Sequence, residues 1–285
     1  MGDTKTLLRK EIALICILVT VFATACRQDK SGASQQQTTK KWYSNVLIYN
    51  LDVDVFKDSD GDGIGDFKGL TSRLGYLDTL GVDVIWHAPF QPSPGNDDGY
   101  DITDFYGDDP RLGTKSDFDE FMSAAKAKGF KVMMDIVVNH TSVEHPWFKA
   151  AREDTTSKYH EWYVWSKEKP KDWDKGMVFP GVQNATWTFD ERSGKYYFHR
   201  FYEFQPDLNF NRADVRAMAI DVLTYWLKQG MDGFRLDAVP FIIDKPETGS
   251  EKPAHMPQIL TDITAALRKI KPDVALLGEA NVTAE

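Results

Sequence analysis

Three short apolar runs end in groups suited to acid–base or nucleophilic chemistry. KVMMDIVV carries Asp135 and leads into Asn139 and His140, DGFRLDA carries Arg235 and Asp237, and VALLGE closes on Glu279. Arg235 and Asp237 are two residues apart, so on a strand they share one face. A single carboxylate at a strand end is ordinary capping. Two on successive strands, with an arginine two residues before one of them, are harder to dismiss as capping. Adjacent parallel strands would bring Asp237 and Glu279 close together. A carboxyl pair about 5–5.5 Å apart suits retaining glycosyl transfer, in which one group attacks the anomeric carbon and the other donates and then removes a proton. Asp237 must then stay ionised, and Arg235 is expected to lower its pKa. Glu279 must begin protonated, which a less charged pocket would favour.

The elements that hold these groups follow from periodicity. NVLIYNL at 45–51 predicts a strand, and Leu70, Leu74, Leu77 and Leu80 predict a helix over 70–81 ending on Gly81. VDVIWH at 82–87 predicts the next strand, and a helix over 116–129 takes Ser116 as N-cap and Gly129 at its end. KVMMDIVV at 131–138 has the continuous apolar character of a strand buried on both faces. Residues 141–210, rich in Trp, Tyr, Lys and Gly, lack a long helical period and are too many for a connection, so they predict an inserted subdomain. The cadence resumes with a helix over 213–230, a strand over 232–238, a helix over 257–270 and a strand over 274–279. The fold class is α/β with a parallel sheet, whose C-terminal edge is where catalytic groups collect. Five strands do not close an eight-stranded barrel, which leaves an open sheet or part of a barrel.

A second constellation, DSDGDGIGDFKGL from Asp58 to Leu70, threads Asp58, Asp60, Asp62 and Asp66 with glycines. A calcium-sensor loop starting at Asp58 needs a bidentate Glu at its twelfth position, which here is Gly69, so the sensor reading fails. A structural ion site and a solvated acidic turn both stay open at this level. Composition bounds the partners. The formal charge of −9 argues against nucleic acid, and 42% hydrophobic content in 285 residues supplies a sizeable core. Eight Trp, eleven Tyr and seventeen Phe are core material first, and are compatible with sugar-stacking platforms.

The N-terminus reads as an address. Lys5, Arg9 and Lys10 precede an apolar run from Ile12 to Cys26, too short for a comfortable membrane span, which predicts a signal peptide over 1–25. Ala23-Thr24-Ala25-Cys26 looks like a lipobox. Cys26 would then be lipidated, and the protein exported and membrane-anchored as a bacterial lipoprotein, facing the periplasm or the cell surface. An ordinary cleavage site or a poor transmembrane anchor is the alternative. Residues 26–41, rich in Ser, Gln and Thr, read as a tether.

DIVVNH, GFRLDAVP, LLGEA and FQPDLN together resemble four ordered sequence regions of the α-amylase superfamily of retaining α-glycoside hydrolases and transglycosylases. DDGYDI, HPWF and HRFYEFQPDLNF are most similar to its trehalose synthases and oligo-1,6-glucosidase-like branch. The resemblance implies a (β/α)8 TIM-type barrel over 42–285, of which about five βα units are present, with a B subdomain at 141–210 after the third strand. It implies Asp237 as nucleophile, Glu279 as acid/base, Arg235 positioning Asp237, and Asp135 bracing Arg235. His140 would hydrogen-bond the sugar, Tyr100 would stack on it, and Asp97 would bind its non-reducing end. Asp58, Asp60, Asp62, Asp66 and the Ile64 carbonyl would encircle one structural ion, calcium or, in a tight ring, magnesium.

The implied activity is hydrolysis of α-glucans, malto-oligosaccharides or maltose. The alternatives are trehalose synthase, passing glucose back to a retained sugar, and a sugar-binding lipoprotein without catalysis. Two departures stand out. His87 replaces the usual aliphatic residue, and the His-Asp region carrying the family's third carboxylate would lie beyond Glu285. A product of this length alone is expected to expose apolar strand edges.

Overall fold

The computed structural model describes residues 41–242 and 256–280; the predicted signal peptide, Cys26 and the tether lie outside the described residues. Eight strands are described: β1 (Ile48–Leu51), β2 (Val84–His87), β3 (Lys131–Ile136), β4 (Trp165–Ser166), β5 (Trp187–Asp190), β6 (Lys195–Phe198), β7 (Gly233–Leu236) and β8 (Ala275–Gly278). Five of them form a parallel sheet in the order β1-β2-β3-β7-β8. The helices are α1 (Val53–Phe56), α2 (Phe67–Ser72), α3 (Leu74–Thr79), α4 (Lys115–Ala127), α5 (Pro146–Glu153), α6 (Ala213–Lys228) and α7 (Met256–Ile270).

Strand alternation sorts the sheet into two faces. Ile85, Val132, Met134, Ile136, Phe234 and Leu236 pack into the main core with Phe67 and Leu70 of α2, Phe118 and Phe121 of α4, and Trp226 of α6. Val84, Met133 and Ala275 form a small separate cluster on the other face, with Trp42, Val46 and Trp86 against it. Asp135 and Arg235 share that second face, because Met133 pairs with Gly233 and Asp135 with Arg235 in register. The catalytic candidates are therefore carried on the face turned away from the helices.

The helix predicted over 70–81 is two helices, α2 and α3, broken at Arg73 (φ −104°, ψ 5°). The leucine period runs through the break because Leu70, Leu74 and Leu77 stay buried, whereas Leu80 is 45% exposed. Thr114, not Ser116, caps α4. It forms a capping box with Asp117, whose side chain reaches back to the Thr114 N–H at 2.8 Å. The β-elements are shorter than the apolar runs that predict them, because those runs continue into the loops at the sheet rim.

Between β3 and α6 lie α5 and an antiparallel sheet of order β4-β6-β5. Short strands of this kind have no helical period, which is why the segment reads as irregular in sequence. At the edges of the parallel sheet, Leu47 (51%), Ile48 (41%) and Leu277 (43%) expose apolar side chains, as expected for five units of a barrel.

Candidate active site

The sheet ladder delivers two carboxylates to one rim. Asp237 N–H donates to the Ile136 carbonyl (3.1 Å) and Glu279 N–H to the Leu236 carbonyl (3.0 Å), each one step past the end of its strand. Arg235 lies between them. Its Nη1 is 2.5 Å from Asp237 Oδ1 and 2.9 Å from Asp135 Oδ1, and its Nη2 is 3.1 Å from Glu279 Oε2. One guanidinium thus ties together three carboxylates from three neighbouring strands, using the fork geometry that lysine lacks. Burial works against the arginine's charge, but Asp135, Asp237 and Glu279 together hold its pKa above the usual value.

Two electrostatic expectations are corrected. Burial pushes the Asp237 carboxyl up to about 7, and the downward pull of Arg235 does not offset it, since Glu279 and Asp135 add repulsion. An arginine neighbour was expected to dominate, but taking a carboxylate out of water is the larger effect here. Nor does Glu279 sit in a less charged pocket. Its Oε2 takes the Arg235 contact and the Ala238 N–H at 3.0 Å, while its side chain is 40% exposed. Asp135 behaves like Asp237: burial raises it to about 6 against the pull of Arg235.

The three residues expected to bind sugar gather on the same side. Tyr100 donates its hydroxyl to Asp135 Oδ2 (3.0 Å), and burial, reinforced by Asp135, pushes the phenol's pKa upward, so it stays a donor. His140 Nε2 lies 3.2 Å from the Tyr100 carbonyl oxygen, and its Nδ1 lies 3.2 Å from Asn139 Nδ2, which fits an Nε2–H tautomer. In this state the hydrogen bond expected toward a sugar is made to the Tyr100 backbone, so His140 fixes the loop that carries Tyr100. Asp97 accepts from Gln205 Nε2 at 2.7 Å, and burial raises its pKa. Gln205, itself buried, comes from the segment after β6 and connects it to the β2 loop. Sequence reasoning missed it. Its only signal was its place beside Pro206-Asp207 in the FQPDLN motif.

His87, the departure noted in the sequence, points into the helix layer instead of the site. It is fully buried, neither ring nitrogen has a hydrogen-bond partner, and Phe67, Phe90 and Phe121 surround it at centroid distances of 6.3, 5.7 and 5.1 Å.

In the acidic loop, Asp58, Asp60 and Asp66 bring one oxygen each within 4.8 Å of the others. Asp62 is not among these three; its Oδ1 accepts the Ile64 N–H at 2.8 Å. The loop is also internally bonded. Asp58 accepts from the Gly61 and Gly63 N–H groups, which hold its pKa low. Asp66 accepts from Ser59 and from the Gly69 N–H at the start of α2. A Cβ on Gly69 would lie 1.9 Å from the Lys57 carbonyl oxygen, so glycine there is a packing requirement. An anionic, oxygen-only donor set of this kind fits a hard cation such as calcium.

A family model described as "Alpha amylase, catalytic domain" matches residues 50–285. The chain belongs to the alpha-amylase family. Among curated members of that family, it is 40% identical to a trehalose synthase of Pimelobacter sp. over 85% of this chain and 42% of the relative. It is 42% identical to an oligo-1,6-glucosidase of Bacillus cereus over 71% of this chain and 36% of the relative. Among solved alpha-amylase-type structures, a Bacillus licheniformis trehalose-6-phosphate hydrolase aligns at a TM-score of 0.76 with 34% identity, covering 86% of this chain and 46% of that one. The chain spans less than half the length of these relatives. Its five parallel strands are five units of the family's TIM-type barrel.

Proposed function

We propose that the protein breaks α-glucosidic bonds with retention, Asp237 acting as nucleophile and Glu279 as acid/base, on α-glucans, malto-oligosaccharides or maltose. The observation that carries this reading is the single Arg235 guanidinium bridging Asp135, Asp237 and Glu279 at one sheet rim. In the first half-reaction Asp237 attacks the anomeric carbon while Glu279 protonates the departing oxygen. In the second, Glu279 takes a proton from the acceptor as the glycosyl–Asp237 bond breaks. Tyr100, held by Asp135 and His140, presents its ring to the sugar, and Asp97, oriented by Gln205, accepts hydrogen bonds at the non-reducing end.

The acceptor decides the outcome. Water gives hydrolysis, and a retained glucose gives isomerisation of maltose to trehalose. The second outcome is supported by the likeness to proteins named trehalose synthase and "Trehalose synthase/amylase" at 39–40% identity. In this reading calcium held by Asp58, Asp60 and Asp66 braces the first βα connection without touching the bond broken, and a lipid on Cys26 anchors the enzyme outside the cytoplasm.

A 5-fluoro-α-glucosyl fluoride should trap one covalent adduct, mapped by peptide mass spectrometry to Asp237; an adduct elsewhere would overturn the assignment. Incubation with maltose then separates the outcomes. Glucose as the main product means hydrolysis, and trehalose without net glucose release means isomerisation.

A further inference from the structure

Ala238, the residue directly after the proposed nucleophile, is one of two non-glycine residues with positive φ among the described residues, at φ 52° and ψ 34°. A left-handed backbone is unfavourable for any residue with a Cβ and persists only where the surroundings impose it. Here they do: Ala238 is 2% exposed and begins the short turn Val239–Phe241, whose Val239 side chain packs close to Gly278 on the next strand. The Asp237 N–H points to β3, so the next N–H along, that of Ala238, points to β8, where it donates to Glu279 Oε2 at 3.0 Å, and the left-handed residue then takes the chain out of the ladder. The same oxygen is 3.1 Å from Arg235 Nη2. Among the described residues, both polar contacts of this carboxyl fall on Oε2.

We infer that Ala238 is a positioning residue for Glu279: its N–H, held at the start of a left-handed turn, donates to Oε2, so that Oε1 is the oxygen that carries the proton to the leaving group. This rests on the proposed roles of Asp237 and Glu279. The proton on Oε1 passes to the glycosidic oxygen as the bond from that oxygen to the anomeric carbon breaks and the bond from Asp237 forms. The arrangement couples the two groups through one peptide unit, because the residue that follows the nucleophile holds the acid. The sheet register and Arg235 set how far apart the carboxyls stand. The N–H adds the rotation of the Glu279 carboxyl about its own axis, which decides which oxygen faces the substrate.

The test compares leaving groups. For kcat/KM, which ends at the glycosyl-enzyme, loss of a well-placed acid slows a sugar leaving group far more than fluoride, which leaves without protonation. Two changes disturb the N–H. Ala238→Val opposes the left-handed conformation through its β-branch, and an amide-to-ester replacement at position 238 removes the N–H while keeping the side chain. Each should lower kcat/KM for maltose about 10- to 100-fold and for α-glucosyl fluoride less than about threefold. Ala238→Gly, which adopts positive φ freely, should recover most of what the valine variant loses. Equal losses on both substrates in the ester variant would mean a merely structural role and overturn the inference, as would an ester variant that loses nothing. Glu279→Gln is the reference: if it shows no leaving-group dependence, the acid/base assignment fails and not the role of Ala238.

Discussion

Replacing His87 tests the balance between burial and hydrogen bonding in the helix layer. Its imidazole is fully buried, both nitrogens lack partners, and burial alone drives its pKa down to about 3. The folded state therefore binds a proton at this ring only far below the ordinary value near 6.5. Between those limits the unfolded chain binds more protons, so this group's contribution is fully present above about pH 6.5 and is lost as pH falls toward 3. The slope is about 1.4 kcal/mol per pH unit, so moving from pH 7.5 to 5.0 costs about 2 kcal/mol through His87. His87→Leu keeps an apolar side chain of similar size and deletes two unsatisfied polar atoms, each worth about 1–3 kcal/mol when buried. At pH 7.5 the variant should be about 1–3 kcal/mol more stable, and at pH 5.0 the advantage should widen by about 2 kcal/mol. A 1 kcal/mol change corresponds to roughly 2–4 °C in a domain of this size, so the gap in Tm between variant and parent should grow by about 4–8 °C on acidification. Urea melts followed by circular dichroism at both pH values measure the free-energy gap, and thermal melts measure the gap in Tm. His145 also has a low pKa, about 3, for the same reason, but it contributes equally to both proteins and cancels in the difference. If parent and variant lose stability in parallel between pH 7.5 and 5.0, the reasoning is refuted.

Further predictions concern the rim and the loop. Asp237→Asn should abolish turnover. Because the folded pKa of about 7 lies above the carboxylate's ordinary value, the stability Asp237 contributes at pH 4 is lost as pH rises to 7 and the loss levels off above it, so the variant should gain Tm over the parent at pH 8 and little at pH 4. Rates of trapping by the fluorosugar should rise through about pH 7 as Asp237 ionises. Arg235→Ala leaves Asp237 and Asp135 without their counter-charge and should destabilise by about 3–5 kcal/mol, and Arg235→Lys, which cannot span three carboxylates, should recover charge but not activity. Chelator should lower Tm and calcium should restore it; Asp58→Asn with Asp60→Asn should remove that response, and a chelator-insensitive parent would show that the loop works as an internally bonded turn.

What could be read from the sequence depended on how local the cause was. The parallel βα cadence and the order of the strands follow from apolar periods and their spacing, and Asp237 and Glu279 announce themselves by falling at strand ends. The Arg235 partnership with Asp237 was legible for the same reason, as an i, i+2 pair on one face. Its reach to Glu279 was not, because it depends on the register of β7 against β8. The pKa of Asp237 went the wrong way because neighbours in sequence are visible and burial is not. The split of the 70–81 helix at Arg73 left no trace in a leucine period that both halves satisfy. Gln205 and Ala238 were missed for opposite reasons. The first acts across a long loop, and the second acts through its backbone, where an alanine side chain carries no signal.

The rim's charge balance has a consequence for what can enter it. Asp135, Asp237 and Glu279 share one Arg235, so the field at the rim is negative once Asp237 ionises. Neutral saccharides cross such a field at no electrostatic cost, whereas a phosphorylated or uronic sugar would meet repulsion from these carboxylates. Protonated amino sugars and hydroxylated amines would instead be drawn in and compete. Under the proposed function the rim acts as a charge filter, and its selectivity against anionic sugars should weaken at low pH, as Asp97, Asp135 and Asp237, whose pKa values burial raises, take up protons.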